Sequence, residues 1–86
     1  MSDIIIVVGS ITSAARLAKR INSQSLKGAQ VVSTPPELRN NMSCSYAVKT
    51  ALANEHIVRN NLTGLNIRGI YIEEKSGKER SYYDIS

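Results

Sequence analysis

The pattern of apolar and polar residues in the first third of the chain predicts a strand followed by a helix. Ile4 to Val8 is an unbroken run of β-branched residues, which is typical of a central strand covered on both faces. Gly9 and Ser10 turn the chain, and Ser10 or Thr12 is the predicted N-cap of the helix. Its apolar stripe is predicted to contain Ile11, Ala14, Leu17, Ala18 and Ile21.

Three further strands and a second helix are predicted after Gly28. A short strand from residue 29 to 33 ends before two prolines, which lack the backbone N–H that a sheet ladder requires. Alternation around Tyr46 to Lys49 predicts a third strand, with Thr50 as the cap of a helix over residues 51–63 that Gly64 ends. Asn54 is expected on the solvent side of that helix. Residues 67–72 form a predicted fourth strand, and residues 79–83 a short fifth strand or a tail.

The order of these elements predicts an α+β fold. Strand, helix, strand, strand, helix and strand with right-handed crossovers give a ferredoxin-like βαββαβ unit, in which two helices cover one face of an antiparallel four-stranded sheet. Residues 1–86 are expected to form a single domain, with residues 76–86 as a hairpin strand or a flexible tail. A Rossmann sheet is disfavoured, because the sequence GSITSA lacks the later glycines of the dinucleotide fingerprint.

Composition and charge predict a cytoplasmic protein with a mildly basic surface. Eleven Lys and Arg against seven Asp and Glu give a net charge of +4, too small to point to polyanions by itself. A single cysteine cannot form an internal disulfide, which favours a reducing compartment. Only five apolar residues follow Asp3, too few for a signal peptide or a membrane span, so no membrane partner is expected.

The predicted topology brings Cys44 toward the start of the first helix. The loop before the third strand lies at the sheet edge where the first strand ends, so Cys44 is expected near the segment from Gly9 to Ser13. Unpaired amides at a helix N-terminus stabilise negative charge and lower the pKa of a thiol from about 8.5. Cys44 is thus the candidate reactive thiol, although an inert buried cysteine is the alternative. The candidate binding residues beside it are Gly9, Ser10, Thr12, Ser43, Ser45 and Tyr46.

Three segments resemble the small bacterial Se/S carrier protein-like family over about residues 3–74. These are IIIVVGSITSAARLAKRI, MSCSYAVKT and GLNIRGIYIEE. The resemblance implies a carrier that holds sulfur or selenium on Cys44, with protein donors and acceptors as partners and no cofactor. The family tends to place glycine directly after this cysteine, whereas this chain has Ser45, which adopts positive φ less readily.

Other functions have less support in the sequence. One cysteine and one histidine, His56, cannot supply a closed four-ligand metal site, and His56 is expected at the opposite sheet edge from Cys44. The central strands lack the aromatic residues that stack RNA bases, so nucleic acid is not an expected partner, although a weak RNA-binding domain stays an alternative. Glu73 and Glu74 are interpreted as a charged edge that opposes aggregation. A carrier is favoured over a turnover enzyme, because no second cysteine is present.

A non-catalytic interaction module is the remaining alternative. Tyr71, Tyr82 and Tyr83 near the C-terminus offer contacts for a protein partner or for a homodimer. The competing interpretation is that these tyrosines only cover the sheet.

Overall fold

The computed structural model describes residues 2–38 and 45–86. Within these residues the chain forms one sheet of five strands, two α-helices and two short 3-10 turns. The strands are β1 (Ser2–Val8), β2 (Ala29–Ser33), β3 (Tyr46–Ala51), β4 (Ile67–Ser76) and β5 (Glu79–Asp84). The helices are α1 (Ile11–Gln24) and α2 (Glu55–Arg59), and the 3-10 turns are Pro36–Leu38 and Leu52–Asn54.

The sheet is antiparallel and has the order β2-β3-β1-β4-β5. In its centre Ile6 lies opposite Val48 of β3 on one side and Ile70 of β4 on the other. The five-stranded order differs from the four-stranded sheet that we expected, because Gly77, at φ 61°, turns the chain so that β5 pairs along β4. Residues 79–84 are therefore a strand and not a tail. The α+β class is confirmed.

Both faces of β1 are covered, as its unbroken apolar run predicted. Ile4, Ile6 and Val8 face a core to which both helices contribute. That core contains Ala14, Leu17, Ala18 and Ile21 of α1 together with Val58 of α2. Ile5 and Val7 point to the other face, where Leu38, from the 3-10 turn after β2, packs against them. Burial of large side chains such as Ile4 and Ile6 contributes about 1.5 to 3 kcal/mol each.

The second helix is much shorter than predicted, and Thr50 is not its cap. β3 continues to Ala51, where the prediction had already begun the helix. The hydroxyl of Thr50 donates to the carbonyl of Gly28 at 3.1 Å and accepts from the side-chain Nδ2 of Asn54 at 2.9 Å. Asn54 is accordingly buried, with 3% exposure, and not on the solvent side as expected. These tertiary hydrogen bonds hold residues 50–54 outside a regular helix.

Three smaller predictions are also corrected. Ile11 is 49% exposed at the first position of α1 and does not belong to the buried stripe. Glu73 and Glu74 do not form a charged sheet edge, because β5 pairs along that side of β4. Glu74 is exposed, whereas Glu73 is buried. Gly64 has the positive φ of 78° expected of a helix stop, but it does not end α2, whose last residue is Arg59.

Candidate functional site

The end of β1 and the start of β3 lie at the same edge of the sheet. Val8, the last residue of β1, is opposite Tyr46, the first residue of β3. α1 begins at this edge after Gly9 and Ser10. Ser45 lies there too, since it immediately precedes β3. The predicted site residues Ser43 and Cys44 lie outside the described residues.

Ser10 caps α1 and connects the first turn of this helix to the segment before β4. Its Oγ accepts a hydrogen bond from the backbone N–H of Ser13 at 3.1 Å, the N-cap geometry that the sequence predicted. The hydroxyl of Ser10 also donates to the Oγ of Ser13 at 3.2 Å, and Ser13 Oγ accepts from the N–H of Asn66 at 3.3 Å. Within the described chain, the amides of Ile11 and Thr12 have no acceptor. Amides in this position at a helix N-terminus favour an anion.

Replacement of Ser10 by alanine is expected to lower the free energy of unfolding by about 1 kcal/mol, because the Ser13 amide loses its acceptor. Thermal unfolding monitored by circular dichroism then shows a melting temperature lower by roughly 4 to 8 °C. Thr12→Ala is the matched control, since Thr12 is exposed and makes no capping bond. Equal effects of the two substitutions would contradict the assignment of Ser10 as the cap.

Gly9 allows a close approach between the β1–α1 turn and Asn66. The N–H of Gly9 donates to the carbonyl of Asn66 at 2.9 Å. A Cβ atom at position 9 would overlap the side-chain nitrogen of Asn66, so a larger residue requires this side chain to move. Gly9 therefore shapes the edge and offers no side chain to a ligand.

Ser45 and Tyr46 lie at the same edge, at the start of β3. The carbonyl of Ser45 accepts from the N–H of Thr34 at 3.3 Å. Ser45 is 8% exposed, and its Oγ has no hydrogen-bond partner among residues 2–38 and 45–86. Tyr46 is half-buried and packs against the core on the helix side of the sheet. The structure thus brings Gly9, Ser10, Thr12, Ser45 and Tyr46 to one edge.

The opposite face of the sheet holds a charged cluster that the sequence analysis missed. The ammonium of Lys49 lies 3.1 Å from Glu73 Oε1 and 3.7 Å from Asp3 Oδ2. The hydroxyl of Tyr82 donates to Glu73 Oε2 at 2.8 Å. Glu73 is only 2% exposed, so this carboxylate is held by contacts from β3 and β5. Each of the four residues comes from a different strand, and only the pairing register brings them together.

The contacts of this cluster change the pKa values of its members. Burial by itself would raise the pKa of Glu73, but the hydrogen bonds from Tyr82 and Lys49 and the charges of Lys49 and Arg80 outweigh it, so the pKa is lowered. Burial and the hydrogen bond to Glu73 raise the pKa of Tyr82 to about 12. Burial would lower the pKa of Lys49, but its contacts with Glu73 and Asp3 raise it. At neutral pH Glu73 and Lys49 are therefore charged and Tyr82 keeps its proton, so that their contacts join β3, β4 and β5.

Other candidate groups do not converge on this edge. His56 is exposed in α2, which follows the end of β3, where Ala51 lies opposite Asp3 at the far edge of the sheet. In the described part of the chain, no group of three or more His, Cys, Asp or Glu residues has an arrangement that holds a metal ion. No helix among the described residues is long and apolar enough to cross a membrane.

Comparison with known proteins identifies the family. The family model described as "Putative Se/S carrier protein-like" matches residues 3–72, which extend from β1 into β4 and contain Cys44. Neither the curated proteins nor the solved structures contain a match. The family match covers most of the chain and agrees with the resemblance found in the sequence. The chain belongs to the Se/S carrier protein-like family.

Proposed function

We propose that this protein carries sulfur or selenium as a persulfide or selenenyl sulfide on the thiol of Cys44. The family match over residues 3–72 is the observation that carries the proposal. Cys44 is the only cysteine of the chain, so it is the only residue able to form such an adduct. Proteins that donate and accept the sulfur or selenium atom are the proposed partners. A reducing cytoplasm is the proposed location, since it keeps a lone thiol free.

The proposed reaction transfers one atom without net oxidation. The thiolate of Cys44 attacks the outer sulfur of a donor persulfide, and a new bond forms between the two sulfur atoms. The S–S bond of the donor breaks, and its inner sulfur leaves as a thiolate that takes up the proton lost by Cys44. An acceptor thiolate then attacks the outer sulfur, the S–S bond to Cys44 breaks, and Cys44 leaves as a thiolate. Selenium is transferred in the same way, as the outer atom of a selenenyl sulfide.

The polar groups at the edge where α1 and β3 begin have a role in this proposal, which is to stabilise the thiolate. In our proposal the free amides of Ile11 and Thr12, at the positive end of a 14-residue helix, stabilise the Cys44 thiolate. The hydroxyl of Ser45 adds a donor, since it follows Cys44 directly and has no partner within the described residues. Ser10 positions this helix end, Gly9 permits its close packing, and Ser43 and Tyr46 complete the proposed binding residues.

The carrier proposal predicts that the folded protein accepts a sulfur atom faster than a free thiol does at neutral pH. Incubation with glutathione persulfide followed by intact mass measurement is expected to show a gain of one sulfur atom. The Cys44→Ser variant shows no gain. The pH dependence of alkylation by iodoacetamide is the second measurement, with half-maximal reactivity expected below pH about 8.5.

The urea-unfolded wild-type chain is the control that separates a carrier from an ordinary exposed cysteine. Loading and alkylation at the same rate in the folded and unfolded chains would exclude a specialised thiol. A Cys44 that reacts only after unfolding would also overturn the proposal, because that thiol is buried and inert.

We also propose that β1 to β4 and the two helices form a ferredoxin-like unit to which β5 is an addition. Two observations support this assignment. The central strand β1 lies between β3 and β4, and both helices pack on one face of the sheet. RNA binding in the manner of related folds is not proposed. Ile5 and Val7 occupy the outer face of β1 and are 1% and 3% exposed, so bases cannot stack there.

A further inference from the structure

β2 is the outermost strand on one side of the sheet, so its long side forms a lateral edge. Part of its backbone points outward from this lateral edge. The N–H of Thr34 donates to the carbonyl of Ser45, so the backbone of Thr34 is directed toward β3. In an antiparallel pair alternate residues turn their N–H and C=O groups toward the neighbouring strand. The odd-numbered residues Ala29, Val31 and Ser33 therefore direct these groups outward, where no strand of the described chain lies.

The side chain of Asn22 forms hydrogen bonds with both backbone groups of Ala29, the first of these outward residues. Its Oδ1 accepts from the N–H of Ala29 at 2.7 Å, and its Nδ2 donates to the carbonyl of Ala29 at 3.3 Å. The side chain of Asn22 in α1 thus takes the place of a neighbouring strand. Among residues 2–38 and 45–86 no side chain does the same for Val31 and Ser33, so within this part of the chain two N–H and two C=O groups are open for another strand.

The side chains of β2 do not protect this edge. Natural proteins place charged residues, prolines or bulges on edge strands to prevent pairing with other chains. β5, the other edge, has Glu79, Arg80 and Asp84. β2 has the sequence AQVVS, without any charge, and Val31 is 38% exposed.

We propose that β2 pairs antiparallel with β2 of a second copy of this chain. Residue Val31 of each copy lies opposite Ser33 of the other, and each such pair exchanges two hydrogen bonds. This register uses all four open backbone groups of each copy. A two-fold axis passes beside Val32, and the two Val32 side chains face each other.

The neighbours of the open segment select this register. With Val31 opposite itself, Ser33 faces Ala29, whose backbone groups are already bonded to Asn22. With Ser33 opposite itself, Val31 faces Pro35, which has no N–H. Both alternatives form fewer hydrogen bonds.

The backbone groups that β2 leaves open match a second copy of the same strand. Two open residues, Val31 and Ser33, lie between Ala29, which is bonded to Asn22, and Pro35, and the two-fold operation pairs each open residue with the other. AQVVS carries no charge, so two copies of the strand do not repel each other. The edge is therefore complementary to itself in hydrogen bonding.

Substitution at Val31 tests whether this edge dimerises. Sedimentation velocity of the wild-type protein is expected to show a monomer–dimer equilibrium as the concentration is raised to about 1 mM. The Val31→Lys variant places a charged residue on the edge and is expected to weaken association at least about tenfold. Ser81→Lys is the matched control, because it adds the same charge to β5 on the same face of the sheet and leaves association unchanged.

A wild-type protein that stays monomeric throughout the series, or a dimer that Val31→Lys leaves intact, overturns the proposal. Circular dichroism of each variant establishes that the fold is retained.

Cross-linking tests the register. In a Cys44→Ser background, Val32→Cys places two cysteines opposite each other with Cα atoms about 4.5 Å apart, within the range that a disulfide spans. Mild oxidation is expected to give a covalent dimer. The Val31→Cys control faces Ser33 of the other copy and forms much less. Preferential cross-linking at position 31 overturns the register. Neither measurement depends on the reactivity of Cys44, so the carrier proposal and the dimer proposal fail separately.

Discussion

Replacement of Glu73 by alanine is expected to lower the free energy of unfolding by about 3 kcal/mol. Glu73 is 2% exposed and accepts contacts from Lys49 at 3.1 Å and from Tyr82 at 2.8 Å. The substitution removes a charge-assisted hydrogen-bond network and leaves the Tyr82 hydroxyl without its acceptor. For a chain of this size the melting temperature falls by roughly 12 to 24 °C. Thermal unfolding measures this shift, and urea unfolding measures the free energy.

Glu74→Ala is the control for this experiment. Glu74 is the neighbouring residue in β4, but it is exposed and points to the other face of the sheet. Its replacement is expected to change the free energy of unfolding by no more than about 0.5 kcal/mol. If Glu73→Ala and Glu74→Ala had the same effect, the cluster would contribute nothing specific to stability.

The pH dependence of stability provides an independent check on the charge of Glu73. Because its pKa in the folded protein is lowered from 4.5, the carboxylate stabilises the fold above the unfolded pKa. That contribution is lost as the pH falls through the folded pKa. The Glu73→Gln variant retains an acceptor for Tyr82 and lacks this titration. We therefore expect the stability difference between wild type and Glu73→Gln to shrink below pH 4.5.

The parts of the fold that the sequence predicted correctly are those determined by local pattern. β1 is recognisable because its β-branched run requires cover on both faces, and the residues after it carry helical periodicity and a capping serine. The convergence of Gly9, Ser10 and Ser45 at one edge followed from topology alone, since β1 and β3 are antiparallel neighbours. The chemistry of Cys44 did not follow in the same way, because it depends on the course of residues 39–44.

The predictions that failed concern residues whose partners are distant in sequence. Residues 51–54 have helical composition, but the hydrogen bonds of Asn54 to the loop before β2 hold them in a 3-10 turn. Glu73 looked like a solvent-facing residue beside Glu74. Its partner Lys49 is 24 positions earlier in the chain, and no local signal identifies the pairing register that brings the two together.

Replacement of Asn54 by aspartate is expected to destabilise the protein by about 3 kcal/mol or more at neutral pH, although the two side chains have nearly the same shape. The Nδ2 of Asn54 donates to the carbonyl of Lys27 and to Thr50 Oγ1, both at 2.9 Å. Asn54 Oδ1 accepts from Ser25 at 2.8 Å. Aspartate keeps the acceptor but places a second oxygen where the donor stood. A buried carboxylate then faces a carbonyl oxygen, or it stays protonated and satisfies only one acceptor.

The pH dependence of this variant is opposite to that of Glu73. A carboxyl at position 54 is more stable in its protonated form, so its folded pKa lies above the unfolded value of about 3.9. Stability relative to wild type is greatest below that value and falls as the pH rises through the folded pKa. Urea unfolding at several pH values from about 3 to about 7 measures the change, because this range begins below the reference pKa of aspartate and extends well above it. Asn60→Asp, at an exposed position, is the control and is expected to show a small, nearly flat effect. A flat profile for Asn54→Asp as well would mean that the side chain is solvated and does not anchor the loop that leads into β2.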